Sequence, residues 1–362
     1  MNATPLKFLM PGWFSVVMGL GGLALAWLSA GPALGESATG ASLVIGAVAA
    51  LVFLGLLVLS VVRANRYPGA LAEDLRHPVR HGFVAALPVA TLLLATEVAA
   101  LGVVGLWVDV LWWAGALGQL WATVWVLKRW LVALPLPPAP ASAPAGLQGL
   151  IDGALVSPSN PKPAPSPPPF WPLVTPVLLI PVVGNVVAPL AGLTLGHTVW
   201  SMAQFGIGLL LWPVVLVLLL VRRAAQGPLP ERIMPTWFIT IAPPSVMGLV
   251  LLQAQAPVSV VAAFWGMAVF FVLWAGSVAK QAVTQPFSLT FWATSFPLAA
   301  FTTLTLKLAG QVGSSGLQLA GTLLLALTSL VVFGLCLATV RGLRNGSLLA
   351  PEPVAQIVPN AA

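Results

Sequence analysis

The sequence predicts an all-α integral membrane fold of ten transmembrane helices, and three observations predict it. The chain of 362 residues is 59% hydrophobic and only 6% charged, with a mean hydropathy of +1.00. A water-soluble domain carries roughly a quarter charged residues. Ten apolar windows follow one another along the chain, each near the roughly 20 residues a helix needs to cross the hydrocarbon core. The basic residues then fall into alternate gaps between those windows.

The windows lie at 11–30, 40–62, 82–101, 104–127, 173–193, 198–221, 234–253, 258–279, 288–307 and 316–340. Lys7 precedes the first. Arg63, Arg66, Arg76 and Arg80 separate the second from the third, and Lys128, Arg129 and Lys162 the fourth from the fifth. Arg222, Arg223 and Arg232 stand between the sixth and seventh, Lys280 between the eighth and ninth, and Arg341 and Arg344 after the tenth. That puts 14 of the 15 Lys and Arg on one side, all but Lys307. Positive loops stay in the cytoplasm, so both termini are expected there, in a multi-pass protein of the cell inner (plasma) membrane. The net charge of +7 is then a topology signal, and no nucleic-acid partner is expected.

The first window is read as a retained span. It is longer than the apolar core of a signal peptide and carries Pro11, Gly12, Gly19, Gly21 and Gly22. Residues 1–134 therefore hold helices one to four. Residues 135–169 contain 12 prolines among Ala, Ser and Gly, which predicts an extended cytoplasmic linker. Their spacing is irregular and no basic anchor flanks a PxxP core, so a plain linker is preferred to a docking segment. Residues 170–344 hold helices five to ten, and 345–362 read as a disordered tail. The single Cys336 has no intrachain partner and reads as inert.

Interior prolines concentrate in odd-numbered spans: Pro88, Pro181, Pro189, Pro243, Pro244 and Pro297, with Pro11 opening the first and Pro213 the exception in span six. Proline removes a backbone hydrogen bond and bends a helix. In lipid the freed carbonyl must be satisfied by protein or water. Five hairpins follow, each with a bent inner helix and a straighter outer one, around a central pore. The odd spans also carry small neutral polar groups, Thr96 among them, that can replace part of an ion's hydration. The candidate lining set is Phe14, Ser15, Thr91, Asn185, Thr240, Ser245, Ser295, Pro297, Thr302 and Thr303. The hydroxyls have an alternative use, satisfying their own backbone.

Four stretches, in order, resemble one family. "PGWFSVVMGLGGLALAW" (11–27) is similar to the first-helix signature of the tellurite-resistance/dicarboxylate transporter family, which includes bacterial tellurite-resistance proteins, fungal malate permeases and sulfite exporters, and the plant guard-cell slow anion channel. "HPVRHGFVAALPVATLLLATE" (77–97), "IPVVGNVVAP" (180–189) and "FWATSFPLAAFTTL" (291–304) resemble its third, fifth and ninth helices. The resemblance implies a homotrimer of ten-helix subunits, each with its own pore lined by the five odd helices in quasi-fivefold symmetry. It also implies an aromatic gate on the ninth helix, a position that matches Phe296. The linker is enlarged and the plant channel's long terminal domains are missing, which puts plant-style phosphorylation control in doubt.

On this reading Phe296 plugs the pore, Pro297 bends the helix there, and Ala299 and Ala300 leave space beside the ring. Thr302, Thr303 and Thr305 would line the outer vestibule. Phe296, Thr303 and Lys307, at spacings of seven and four, share a helical face. Lys307 either draws anions to the outer mouth or pairs with Glu97 or Asp109, and pairing is the expectation. Glu73, Asp74, His77 and His81 are close enough in sequence to suggest a metal site, but Pro78 interrupts them and Arg76 and Arg80 flank them, so interfacial solvation is expected. His197 reads as a lone surface residue.

Two functions remain. One is a channel for small monovalent anions such as chloride or nitrate. The other is a secondary transporter or exporter of C4-dicarboxylate, sulfite or tellurite-related oxyanions. Partners are thus small inorganic or organic acid anions and the lipid bilayer. No cofactor is expected, nor an enzyme, because the spans offer neither a nucleophile–base pair nor a metal cage.

Overall fold

The computed structural model describes residues 5–77, 79–133 and 171–350, and no strand occurs among them. The predicted linker at 135–169 and the end of the predicted tail, 351–362, lie outside the described residues. The long helices are α1 (Phe14–Ser29), α2 (Glu36–Arg66), α3 (Ala86–Ala100), α4 (Leu106–Ala133), α5 (Thr198–Gln226), α6 (Ala242–Gln253), α7 (Val258–Val283), α8 (Ser295–Val312) and α9 (Ser315–Arg344). With the 3-10 turns that lead into them, nine helical stretches among the described residues are long and apolar enough to cross a membrane.

Burial alternates along the chain. The stretches Pro11–Ser29, Arg80–Ala100, Glu231–Gln253 and Leu289–Val312 are 78% to 83% buried within the molecule, whereas α2, α4, α5, α7 and α9 are 22% to 39% buried. The second group turns Val44, Leu51, Leu210, Leu273, Leu330 and Phe333 outward. These uncharged faces are what hydrocarbon accepts. Each inner element packs against the outer helix that follows it: α1 on α2, α3 on α4, α6 on α7 and α8 on α9, with the segment Pro176–Gly192 on α5. The inner elements also pack on one another in cyclic order, α1 on α3, α3 on Pro176–Gly192, that segment on α6, α6 on α8, and α8 back on α1.

The fifth predicted span is the departure. Instead of one helix over 173–193, the chain makes a series of short turns, Pro176–Leu178, Leu179–Val183, Gly184–Val186 and Ala188–Gly192. Pro176, Pro181 and Pro189 each remove a backbone donor, so no long run of i to i−4 bonds can form. Carbonyls of this broken segment accept from side chains of α4 instead. Gln119 Nε2 donates to Pro181 O at 2.8 Å, Thr123 Oγ1 donates to the same oxygen at 2.5 Å, and Trp112 Nε1 donates to Ala188 O at 2.8 Å.

All the inner elements begin in 3-10 turns, Pro11–Trp13, Arg80–Ala85, Pro176–Leu178, Glu231–Ile241 and Leu289–Thr294. Hydroxyls help hold several of them. Ser15, Thr240 and Ser295 each donate to the carbonyl three residues back, at 2.6 to 2.7 Å. At the opposite end α8 stops at Gly313, whose left-handed φ of 66° suits glycine. Ser314 then caps α9, its Oγ accepting from Leu317 N.

Interfacial solvation does not describe the 73–81 cluster. The short helix Pro68–Arg76 folds Asp74 back against α2, where it is buried between two arginines. Arg63 Nη2 lies 2.7 Å from Asp74 Oδ2, and Arg80 Nη1 lies 3.1 Å from Asp74 Oδ1. Arg63 Nε also donates to Lys7 O at 3.0 Å, which fastens the N-terminal segment to the same knot. His81 is buried too, and its ring lies 6.4 Å from that of Trp125.

Candidate functional site

The C-terminal ends of four inner elements and residues 296–307 of α8 converge on one cavity of about 410 Å3. Gly22, Leu25 and Ser29 come from α1, and Leu93 and Thr96 from α3. Leu190 and Thr194 come from the broken fifth segment, Leu249 and Gln253 from α6. From α8 come Phe296, Ala300, Thr303 and Lys307. The face of α8 expected from spacing alone is therefore the face that lines the cavity. The Phe296 ring is buried and lies against α1 at Gly22, where a Cβ would stand 3.1 Å from ring Cδ2. Ala300 leaves the cavity side of the ring free of bulk.

Electrostatics follows from helix direction. Helix C-termini carry partial negative charge, about half an elementary charge each for a full helix. Three helices and one broken segment present that end here. Lys307 is the one charged residue in the lining, and among the described residues it makes no ion pair. The expected pairing is not what the structure contains. Asp109 Oδ1 accepts from His197 Nε2 at 2.8 Å, and Glu97 packs its carboxylate against Gly46 of α2. His197 is not a lone surface residue either: its ring stacks on Trp112 with centroids 4.6 Å apart and planes at 16°. It ties the turn before α5 to the start of α4.

The hydroxyls take the alternative use. Thr91, Thr96, Ser245, Thr302 and Thr303 each donate to a carbonyl four residues back on the same helix. Toward the cavity Thr96 and Thr303 thus present oxygen lone pairs rather than protons. Four candidate lining residues turn to neighbouring helices. Asn185 Nδ2 donates to Thr123 Oγ1 of α4 at 2.7 Å. Thr302 meets Thr328 of α9 at 3.0 Å. Phe14 sets its ring edge-on to Phe53 of α2. Ser295 fills the space a side chain at Gly19 would need. Thr305 accepts from Trp265 Nε1 at 3.0 Å and so also faces outward from the cavity. Thr240 lies at the other end of the molecule, in the wall of a second, smaller cavity. Pro297 stands in the first turn of α8, where its missing N–H costs little.

This geometry, a ring of inner helices around a cavity with an aromatic side chain in its wall, suits a transport protein. The sequence profile of the voltage-dependent anion channel family (SLAC1) matches residues 9–340. The chain belongs to this family. It is 25% identical over 315 residues to "Uncharacterized transporter MJ0576" of Methanocaldococcus jannaschii, covering 82% of each chain. It is 28% identical over 162 residues to "S-type anion channel SLAH3" of Arabidopsis thaliana, which is 44% of this chain and 25% of that one.

For a member of the voltage-dependent anion channel family, sequence reasoning missed three lining residues. Gln253 Nε2 donates to Leu190 O at 3.2 Å and Thr194 Oγ1 at 3.0 Å, which joins α6 to the broken segment across the mouth. Ser29 lies at the end of α1, its hydroxyl donating to Leu25 O. The usable signal was position. All three are polar residues in the last turn of an inner element or just past it. Among the described residues no group of His, Cys, Asp and Glu is arranged to hold a metal.

Proposed function

We propose that the protein is an anion channel that conducts small monovalent anions through a pore within each subunit, gated by Phe296. The observation that supports this best is the single cavity lined by all five inner elements, with Phe296 in its wall and Lys307 as its one charge. In this reading the broken segment Pro176–Gly192 completes ten crossings, and the inner elements form a quasi-fivefold barrel. The basic end lies in the cytoplasm of a cell inner (plasma) membrane, with both termini. The subunits assemble as a homotrimer.

The route is walled by hydrocarbon, hydroxyl lone pairs and one ammonium. Such a wall repays little of a strongly held hydration shell, so permeation follows ease of dehydration. Nitrate and iodide then pass ahead of chloride, and dianions such as malate or sulfite fall far behind. The wider pore set of the reading is Ser15, Thr91, Thr96, Ser245 and Thr303. Pro297 follows the gate residue in the first turn of α8.

A secondary transporter or exporter is the second reading, because the archaeal relative is named a transporter. Purified protein in planar bilayers separates the two. Reversal potentials in mixed-anion gradients should give the order nitrate, chloride, malate. A malate or sulfite permeability equal to that of nitrate, or a reversal potential that tracks the proton gradient, would reject the channel.

A further inference from the structure

A second cavity, of about 170 Å3, lies at the basic end of the molecule, where two outer helices meet the start of one inner element. Its walls are Arg223 from the last turn of α5, Trp237 and Thr240 from the 3-10 stretch before α6, and Trp274, Ala275 and Ser277 from α7. The two indole rings stand 5.0 Å apart at 47°. No acidic residue lines it.

The hydrogen-bonding inventory is one-sided. The hydroxyl protons of Thr240 and Ser277 are engaged by the carbonyls of Trp237 and Trp274, at 2.7 and 2.6 Å. The Arg223 guanidinium and the indole N–H groups of Trp237 and Trp274 have no acceptor among the described residues. Guanidinium and indole are donors only. A cavity lined by one guanidinium, two indoles and no carboxylate suits an oxyanion, and a guanidinium fork matches phosphate oxygens in pairs.

The surroundings suggest where the phosphate comes from. Outer helices α5 and α7 supply Arg223, Trp274, Ala275 and Ser277 to its walls. Leu273, next to Trp274, and Phe270, one turn before it, are exposed, and so are Val217, Leu220 and Val221 just before Arg223. A polar notch at the end of an apolar strip matches a headgroup with its acyl chains, and tryptophans gather at that depth of a membrane. Basic pockets on the cytoplasmic side of helical bundles hold anionic headgroups in the same way. We propose that this cavity binds a phosphate group, and that the phosphate belongs to an anionic lipid such as phosphatidylglycerol. The inference does not depend on anion conduction by the inner pathway.

Delipidated protein in detergent tests it, by native mass spectrometry and thermal shift with short-chain phosphatidylglycerol, phosphatidylcholine and inorganic phosphate. Phosphatidylglycerol should bind and raise the melting temperature, with phosphatidylcholine well behind. Arg223→Gln should weaken that binding by about tenfold, the scale of one charge-assisted hydrogen bond. Trp274→Phe keeps the ring and removes the N–H. It should weaken binding too, and it preserves the test if the arginine variant does not fold. Arg344→Gln, at the end of α9, should leave binding unchanged. Equal binding of phosphatidylcholine, or binding indifferent to both cavity variants, overturns the site. Inorganic phosphate binding as tightly as the lipid overturns its assignment to lipid.

Discussion

The ring of Phe296 rests on the backbone of Gly22: a Cβ at that glycine would stand 3.1 Å from ring Cδ2 and 3.2 Å from the Cβ of Ala299. That space is tighter than ordinary van der Waals contact, so the ring has room on its cavity side and almost none on the α1 side. Phe296→Ala should therefore raise anion currents several-fold while the protein stays folded. Gly22→Ala should lower them, because the added methyl pushes the ring toward the cavity. The double variant should conduct like Phe296→Ala, since the methyl then has no ring to push. Wild-type currents in Phe296→Ala would remove the gate, and a double variant as quiet as Gly22→Ala would place the methyl's effect elsewhere.

Asp74 holds two arginines, and its side chain is only 2% exposed. Asp74→Asn leaves Arg63 buried without a counter-charge. Breaking a buried pair from one side costs about 3–5 kcal/mol. Arg80 is partly exposed, so the low end is expected, with a fall in melting temperature and loss of the anchor to Lys7. An unchanged melting temperature would show that the knot is incidental.

Legibility in the sequence followed the range of each interaction. The nine continuous stretches were readable because hydrophobicity and the spacing of basic loops are local properties. The break in the fifth segment was not, since a window average counts Val and Ile and ignores the donors that Pro176, Pro181 and Pro189 lack. Phe296, Thr303 and Lys307 were readable as one face from their spacing. Which face Asn185 and Thr302 use was not, because an inner helix is apolar all round and carries no amphipathic signal. The Asp109–His197 contact joins residues 88 positions apart, and nothing near either one announces the other.

Glu97 is buried on α3 against Gly46, and no ion pair reaches it among the described residues. A buried polar group without a partner costs roughly 1–3 kcal/mol, and a charged one more. Glu97→Gln keeps the shape and removes the charge, so it should raise the melting temperature. Gly46→Ala should lower it, because the new methyl takes the place of the carboxylate. Destabilisation by Glu97→Gln would reveal a partner that needs the charge, across a subunit interface for instance.

Lys307 faces the cavity into which four of the inner elements point their C-terminal ends. Those ends repel anions, and the ammonium offsets them at the mouth. Lys307→Gln should therefore reduce conductance most for anions entering from the Lys307 side, which makes the current–voltage relation more asymmetric. The influence of a charge at an aqueous mouth extends about one Debye length, roughly 10 Å at 0.1 M salt and 3 Å at 1 M. The deficit should be large in dilute salt and nearly vanish in concentrated salt. The order of permeabilities should not change, because selection by dehydration belongs to the uncharged walls and the charge only concentrates ions before them. Single-channel recordings of both proteins at two salt concentrations, with anions added to one side at a time, measure all three effects. If the variant loses conductance equally at both concentrations, Lys307 acts within the conduction path itself rather than as a charge at its mouth.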